Sequence, residues 1–428
     1  MKFQPPKGTR DFLPKEMILR EYIIQKIKNT FECYGFEPIE SPAIENLKIL
    51  EAKCGSDIKE QIFKFEDKAG RKIGLRFDLT VPLARIVANN PQLPKPLKVY
   101  QISRVWRYEE VKRGRKREFW QADIDIIGSD KVDAEVECMA CAIDCLRNLG
   151  FENLRIRINN RKILDGILEV MGVDREKYLD IFRLIDKLEK VGQAKVISEL
   201  EKLLSPDKVK KLMKFITIRG NSKDIINKGK KILKNSKMGI EGLNELEEII
   251  RIAKIYNISD LIDIDFSLAR GLDYYTGPIF EIPSKIGAIA GGGRYDTLVQ
   301  ILGGRPTPAT GISLGIERIA EILKEKDLNL PKTKVKIFIA NVNEDVKSYA
   351  IKIAQKLRKN GISCQTDLLG RNLTKQLEFA NSIGIPYVII VGPKEIKSKK
   401  YKFRDMAKKT EKSLGLNDIV KLVKGNKN

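Results

Sequence analysis

Arg107-Tyr108-Glu109-Glu110-Val111-Lys112-Arg113-Gly114-Arg115-Lys116-Arg117-Glu118-Phe119-Trp120-Gln121 joins two β-prone runs, Val99 to Glu109 and Arg117 to Ile127. Two such runs around a short loop containing Gly predict a hairpin. The loop cations Lys112, Arg113, Arg115 and Lys116 suit contact with a polyanion as well as simple solvation. Just upstream, Ile62 to Glu66 and Lys72 to Phe77 flank Lys68-Ala69-Gly70-Arg71 and predict a second hairpin. Asp78-Leu79-Thr80 then ends a strand and opens a helix through Val87. This half therefore reads as antiparallel strands with one buried face, not as a βαβ series.

Towards the N-terminus, residues 1–14 read as an extended arm. A helix follows, with Leu19, Ile23, Ile27 and Phe31 spaced four apart and Gly35 beyond its end. Phe36 to Ile39 is a strand stopped by Ser41-Pro42. Downstream, Asp133 to Leu149 is a helix carrying Cys138, Cys141 and Cys145. Their spacing could suit a metal. It also puts all three on one helical face beside Ala134, Ala142 and Leu146, where buried thiols need no ligand. Leu154 to Asn159 is a strand and Arg161 to Met171 a helix. Residues 174–257 read almost wholly as helices and form an insertion.

Ile262 to Leu268 returns to strand and leads into Arg270-Gly271-Leu272-Asp273-Tyr274-Tyr275-Thr276-Gly277. Gly291-Gly292-Gly293-Arg294-Tyr295-Asp296 comes next, then Gly311 to Arg318, a strand running into a helix. Arg beside Gly offers charge and close backbone approach to an anion, and adjacent Tyr residues offer ring faces and hydroxyls. The Gly291–Gly293 run predicts close approach of substrate to the backbone; a strand-to-helix turn is the plainer alternative. After a linker, Leu328 to Lys332, the pattern becomes strand–helix alternation. Val335 to Ala340, Ile362 to Thr366 and Tyr387 to Val391 are strands, with helices over Val346 to Leu357 and Thr374 to Ser382. Lys394 to Lys409 reads as low-complexity sequence.

Composition narrows the chemistry. The 428-residue chain carries a formal charge of +23 and no histidine. From Lys332 to Asn428 there are 22 Lys and Arg against 8 Asp and Glu, which points to nucleic acid as partner. Without imidazole, Ser-His-Asp, Cys-His and His-ligated zinc chemistry are excluded. The six cysteines are scattered, no apolar run could span a membrane, and the N-terminus lacks a secretion signal, so a reducing cytoplasmic setting is expected.

Arg107-Tyr108-Glu109 with the basic loop and Phe119 resembles motif 2 of class II aminoacyl-tRNA synthetases. The first helix, strand and Pro42 resemble motif 1, the dimerisation element, and Gly311 to Arg318 resembles motif 3. Arg270 to Gly277 and Gly291 to Asp296 resemble the two histidine-specific segments, so the chain resembles the histidyl-tRNA synthetase family from Lys7-Gly8-Thr9-Arg10-Asp11 to its C-terminal part. The resemblance implies an α+β catalytic domain with a mainly antiparallel sheet, a helical insertion and a C-terminal α/β anticodon-binding domain. The parts are residues 1–165 (catalytic, motifs 1 and 2), 166–258 (helical module), 259–327 (catalytic, histidine-specific segments and motif 3) and 328–428 (basic, anticodon-binding).

The implied activity is ATP-dependent attachment of L-histidine to its tRNA through an adenylate, releasing AMP and diphosphate, by a homodimer with no membrane partner. Arg270 and Arg107 are the implied catalytic residues. Asp78, Leu79, Thr80, Arg107, Gln121, Asp125, Arg270, Tyr274, Tyr275 and Tyr295 are implied for histidine, and Arg107, Glu109, Arg115, Phe119 and Arg318 for ATP. Mg²⁺ would accompany ATP, and no tightly bound protein metal is expected. Asp78 could instead simply cap its helix. Synthetase-like regulatory subunits are the non-catalytic alternative. They typically lack the C-terminal domain and have eroded motifs, whereas Arg107, Gln121, Arg270 and Arg318 all stand here.

Overall fold

A computed structural model describes residues 3–52, 55–270, 274–326, 328 and 330–425. Gly271, Leu272 and Asp273 of the tyrosine segment lie outside the described residues. The chain forms two compact units, residues 1–11 with 22–326 and residues 12–21 with 327–428.

The first unit is built on an eight-stranded sheet in the order Glu37–Pro38, Leu97–Trp106, Glu118–Ile127, Ala309–Gly315, Ala290–Arg294, Pro278–Ile282, Ile156–Asn160 and Ile262–Ile264. Only the pairings at its two ends are parallel. The central hairpin is the expected one, with Val99 opposite Asp125 and Trp106 opposite Glu118. Lys64–Glu66 and Lys72–Leu75 form the smaller expected hairpin, joined by Ile44–Asn46 in a separate three-stranded sheet. The last strand of the large sheet is shorter than its sequence pattern suggests. Asp265 Oδ1 accepts from the Ser267 main-chain N–H at 3.0 Å and closes a turn that takes the chain off the sheet.

Helix Asp133–Asn148 packs across the strands Glu118–Ile127, Ala290–Arg294 and Ala309–Gly315. Its three cysteines are fully buried, with Cys145 Sγ 3.9 Å from the Ile27 carbonyl, so these thiols belong to the core. A buried ion pair ties the same helix to the sheet. Arg294 lies 2.7 Å from Glu135, and both side chains are almost wholly out of water.

Residues 174–257 are helical as expected, with Tyr178–Asp186, Gln193–Leu200, Pro206–Ile216, Ser222–Ile232 and Lys237–Ile255 as the longer elements. Lys237–Ile255 packs on Arg161–Val170 at glycine contact. A Cβ on Gly166 would lie 2.6 Å from Gly239 Cα, closer than any side chain allows. Asn160 caps the Arg161–Val170 helix and also donates to Glu245 at 2.6 Å.

The second unit has a five-stranded sheet ordered Cys364–Thr366, Ile337–Asn341, Tyr387–Val391, Lys400–Asp405 and Thr410–Gly415. The first three strands are parallel and the last two antiparallel. The expectation of low-complexity sequence over Lys394 to Lys409 is corrected here. Pro393–Ser398 is a short helix and Lys400–Asp405 a strand. Its lysines mask a period of two: Tyr401 and Phe403 alternate with Lys400, Lys402 and Arg404, and Phe403 is buried, its ring 5.0 Å from that of Tyr387.

Removing one member of a buried ion pair strands the other charge. Glu135→Ala is expected to cost roughly 3–5 kcal/mol of stability, measured by urea unfolding. A loss below about 1 kcal/mol would mean that water reaches Arg294.

Candidate active site

The strand Glu118–Ile127 carries several of the sequence-selected residues. Gln121, Asp123 and Asp125 share a face of Glu118–Ile127 because strand side chains alternate. All three are buried. Asp125 sits opposite Gly311, where an added Cβ would fall 2.1 Å from its Oδ1, so the glycine makes the carboxylate's place. Tyr295, which follows the strand Ala290–Arg294, donates its hydroxyl to Asp125 Oδ1 at 2.5 Å. Tyr274 donates to Asp78 Oδ2 at 3.3 Å, and its ring lies 5.0 Å from Tyr275 and 6.0 Å from Tyr295. Thr80 also hydrogen-bonds Tyr274. Leu79 is buried, and its carbonyl accepts from Gln101 at 3.1 Å.

Asp78 has contacts on two sides. Its Oδ1 accepts from the Val81 main-chain N–H at 3.1 Å, in the first turn of the helix Thr80–Asn89, while Oδ2 accepts from Tyr274. Burial pushes its carboxyl up to about 6. Burial likewise pushes Asp125 up to about 7 against the lowering effect of the Tyr295 hydrogen bond. Burial, and then the neighbouring Asp125 charge, hold Asp123 well above the usual carboxyl range. None of the three forms an ion pair among the described residues.

Two arginines are placed near this acid cluster. Arg107 ends the strand Leu97–Trp106, donates from Nε to the Phe77 carbonyl at 2.8 Å, and has its guanidinium 5.3 Å from the Phe119 ring. Arg270 has a backbone φ of +49°, a left-handed conformation costing roughly 1–2 kcal/mol for a side chain of this kind. Its Nη1 reaches the Phe280 carbonyl at 3.5 Å and Glu281 at 3.4 Å, its guanidinium lies 5.8 Å from the Tyr275 ring, and its buried Nε has no partner among the described residues. Its charge is therefore incompletely used. Strain and an unfilled donor at one residue are what a ligand clamp requires.

The glycine run is not the strand-to-helix turn that was the plainer alternative. Gly291–Gly293 lies inside a fully buried strand. A Cβ at Gly291 would sit 1.7 Å from Arg270 Nη1, and one at Gly292 would sit 1.9 Å from the Gly311 carbonyl oxygen. The missing side chains make room for Arg270 and the neighbouring strand. Arg294, in the same motif, is turned to Glu135 and Asp296 as a structural anchor.

The basic hairpin closes with Gly114 at φ +69°. Arg115 pairs with Glu109 at 2.9 Å, and Arg318, in the first turn of Ile316–Lys324, donates to the Gly114 carbonyl at 3.3 Å and to the Ala288 carbonyl. Glu109, Arg115, Phe119 and Arg318 thus cluster around the hairpin. Sequence reading passed over Asp123, Ser313 and Glu281. The period of two running from Gln121 through Asp125 was the available signal for Asp123; Ser313 and Glu281 stand out only once the strands are paired.

An acid with a raised folded value keeps its proton while the unfolded chain loses its own. Its contribution to stability is complete below the ordinary value and is lost as pH rises through the folded one. For Asp125 the window runs from 3.8 to about 7. Wild type should therefore lose stability relative to Asp125→Asn by roughly 1.4 kcal/mol per pH unit across that window. Urea unfolding without ligand at several pH values checks this; a pH-independent difference would mean the pocket is hydrated.

Comparison with known proteins identifies the family. A family model described as histidyl-tRNA synthetase matches residues 8–319, and one described as an anticodon binding domain matches residues 336–426. The chain is 37% identical over 426 residues to the histidine–tRNA ligase of Pyrococcus furiosus, covering 98% of each chain. It is 39% identical to that of Aeropyrum pernix, covering 98% of this chain and 97% of the other. It superposes on the crystal structure of histidyl-tRNA synthetase from Nostoc sp. PCC 7120 with a TM-score of 0.85, at 32% identity and 99% coverage of both. The chain belongs to the histidyl-tRNA synthetase family of class II aminoacyl-tRNA synthetases, with a catalytic domain on a large mixed sheet and a separate anticodon-binding domain.

Proposed function

We propose that this chain joins L-histidine to its tRNA at the expense of ATP. The observation that carries the assignment is the buried pocket of carboxylates and phenols, Asp78, Asp125, Tyr274 and Tyr295, set beside Arg107. Asp78, Thr80 and Gln121 accept from the substrate ammonium, with Leu79 fixing the loop. Asp125 and Tyr275 take the two imidazole nitrogens, with Tyr274 and Tyr295 walling the ring. A pocket of buried polar groups rejects amino acids that would leave them unpaired.

In the first step a histidine carboxylate oxygen bonds to the α-phosphorus of ATP, the bond to the β-phosphate bridge breaks, and diphosphate leaves. The nucleophile is already anionic, so positioning and charge neutralisation are what the protein supplies. Arg107 and Arg270 hold the α-phosphate from two sides. Phe119 and Arg318 sandwich the adenine, Glu109 accepts from its amino group, and Mg²⁺ arrives with the triphosphate. Arg115 exchanges Glu109 for the γ-phosphate. In the second step the tRNA 3′-terminal hydroxyl attacks the histidyl carbonyl, AMP leaves, and a phosphate oxygen of the adenylate takes the hydroxyl proton. A protein with no histidine is suited to a step assisted by its substrate.

The basic C-terminal part, 328–428, meets the tRNA anticodon arm, while 1–165 and 259–327 form the catalytic domain around the module 166–258. Two chains pair through the motif 1 region in the cytoplasm. Support comes from the concentration of positive charge after Lys332 and from the two family models.

Histidine-dependent ATP–diphosphate exchange is the direct test. Exchange with another amino acid but not with histidine would overturn the specificity, and none with any amino acid would favour a regulatory role. Arg270→Ala should lower the single-turnover adenylation rate by roughly 10²–10³. An unchanged rate would remove Arg270 from the chemistry. Tyr275→Phe should weaken histidine binding about tenfold with little change for ATP, measured by calorimetry.

A further inference from the structure

Gln121 lies on the strand Glu118–Ile127, opposite Gly315, and Asp123 lies opposite Ser313 on the neighbouring strand. The Gln121 Nε2 donates to Ser313 Oγ at 2.5 Å. Ser313 in turn hydrogen-bonds the Asp123 side chain. Gln121 Oε1 and Asp123 Oδ1 are both buried and have no partner among the described residues. A buried amide oxygen without a donor, as at Gln121, is costly unless something brings an N–H group to it.

A serine hydroxyl carries one proton and two lone pairs. When its proton is directed to a carboxyl, only its lone pairs remain for a third group. Gln121 must then turn its NH₂ to Ser313 and its Oε1 away. Without that direction the hydroxyl could donate to Oε1 instead, and the amide would present its NH₂, which repels an ammonium. The two ends of an amide differ little in shape, so packing alone does not choose between them.

We infer that Asp123 and Ser313 are positioning residues that fix the Gln121 amide, so that its oxygen is presented to the α-ammonium of the amino-acid substrate. The inference rests on the histidine pocket proposed above. Asp123 and Ser313 act through Gln121, and their effect is specific to substrates that carry the ammonium.

The test compares L-histidine with 3-(imidazol-4-yl)propionate, which keeps the ring and carboxylate but lacks the amine. Calorimetry gives the Kd of each for wild type, Asp123→Ala, Ser313→Ala and the double variant. Each single substitution should lower the preference for histidine about tenfold while leaving the analogue's Kd nearly unchanged. The double variant should lose no more than a single one, because members of one relay do not add. An unchanged preference in either single variant, equal weakening of both ligands, or two effects that multiply would overturn the relay. If Asp123→Ala does not fold, the preference measured in Ser313→Ala decides alone. If wild type itself shows no preference for histidine over the analogue, the pocket assignment fails rather than the relay.

Discussion

Carboxyl groups held out of water are the constraint on which the first unit depends. Asp78, Asp123 and Asp125 are each buried, and each resists ionisation because the surrounding medium solvates charge poorly. Keeping them there requires a scaffold that does not yield. The Val81 N–H at a helix start, the hydroxyls of Tyr274, Tyr295 and Ser313, and a glycine opposite Asp125 all serve that end. Helix Asp133–Asn148 backs the same strands with small buried side chains and thiols. A pocket of this kind is better suited to a cationic, hydrogen-bonding ligand than to an empty state.

The arginines show how one residue type serves opposite ends. Arg294 has Glu135, Asp296 and two main-chain carbonyls, so its donors are well used and it stabilises the packing of helix on sheet. Arg270 sits across the same glycine strand with long contacts, an Nε that has no partner among the described residues, and a left-handed backbone. In the function proposed above, that capacity serves an incoming phosphate. Gly291 leaves volume for the Arg270 guanidinium, so the strand is sterically specific there.

Much of the fold was legible from pattern. Alternation around a Gly-containing loop located the central hairpin, and helical spacing located the first helix and the insertion. The C-terminal strand Lys400–Asp405 was missed because Lys and Arg occupy its exposed positions, and their number hides the inward Tyr401 and Phe403. In the pocket, the residues carried by motifs were named from sequence. Ser313 and Glu281 were not, because each gains its meaning from a neighbour on another strand.

Residue type and spacing along one chain carried most of the local elements, the absence of imidazole chemistry, the concentration of positive charge after Lys332, and the family motifs. The tertiary structure alone decided that Gly291–Gly293 makes room for Arg270 rather than forming a turn, that Arg294 is an anchor, and that Ser313 stands between Gln121 and Asp123. Those outcomes depend on distances across paired strands. A shift of one residue in register would send each of these side chains to the other face of the sheet.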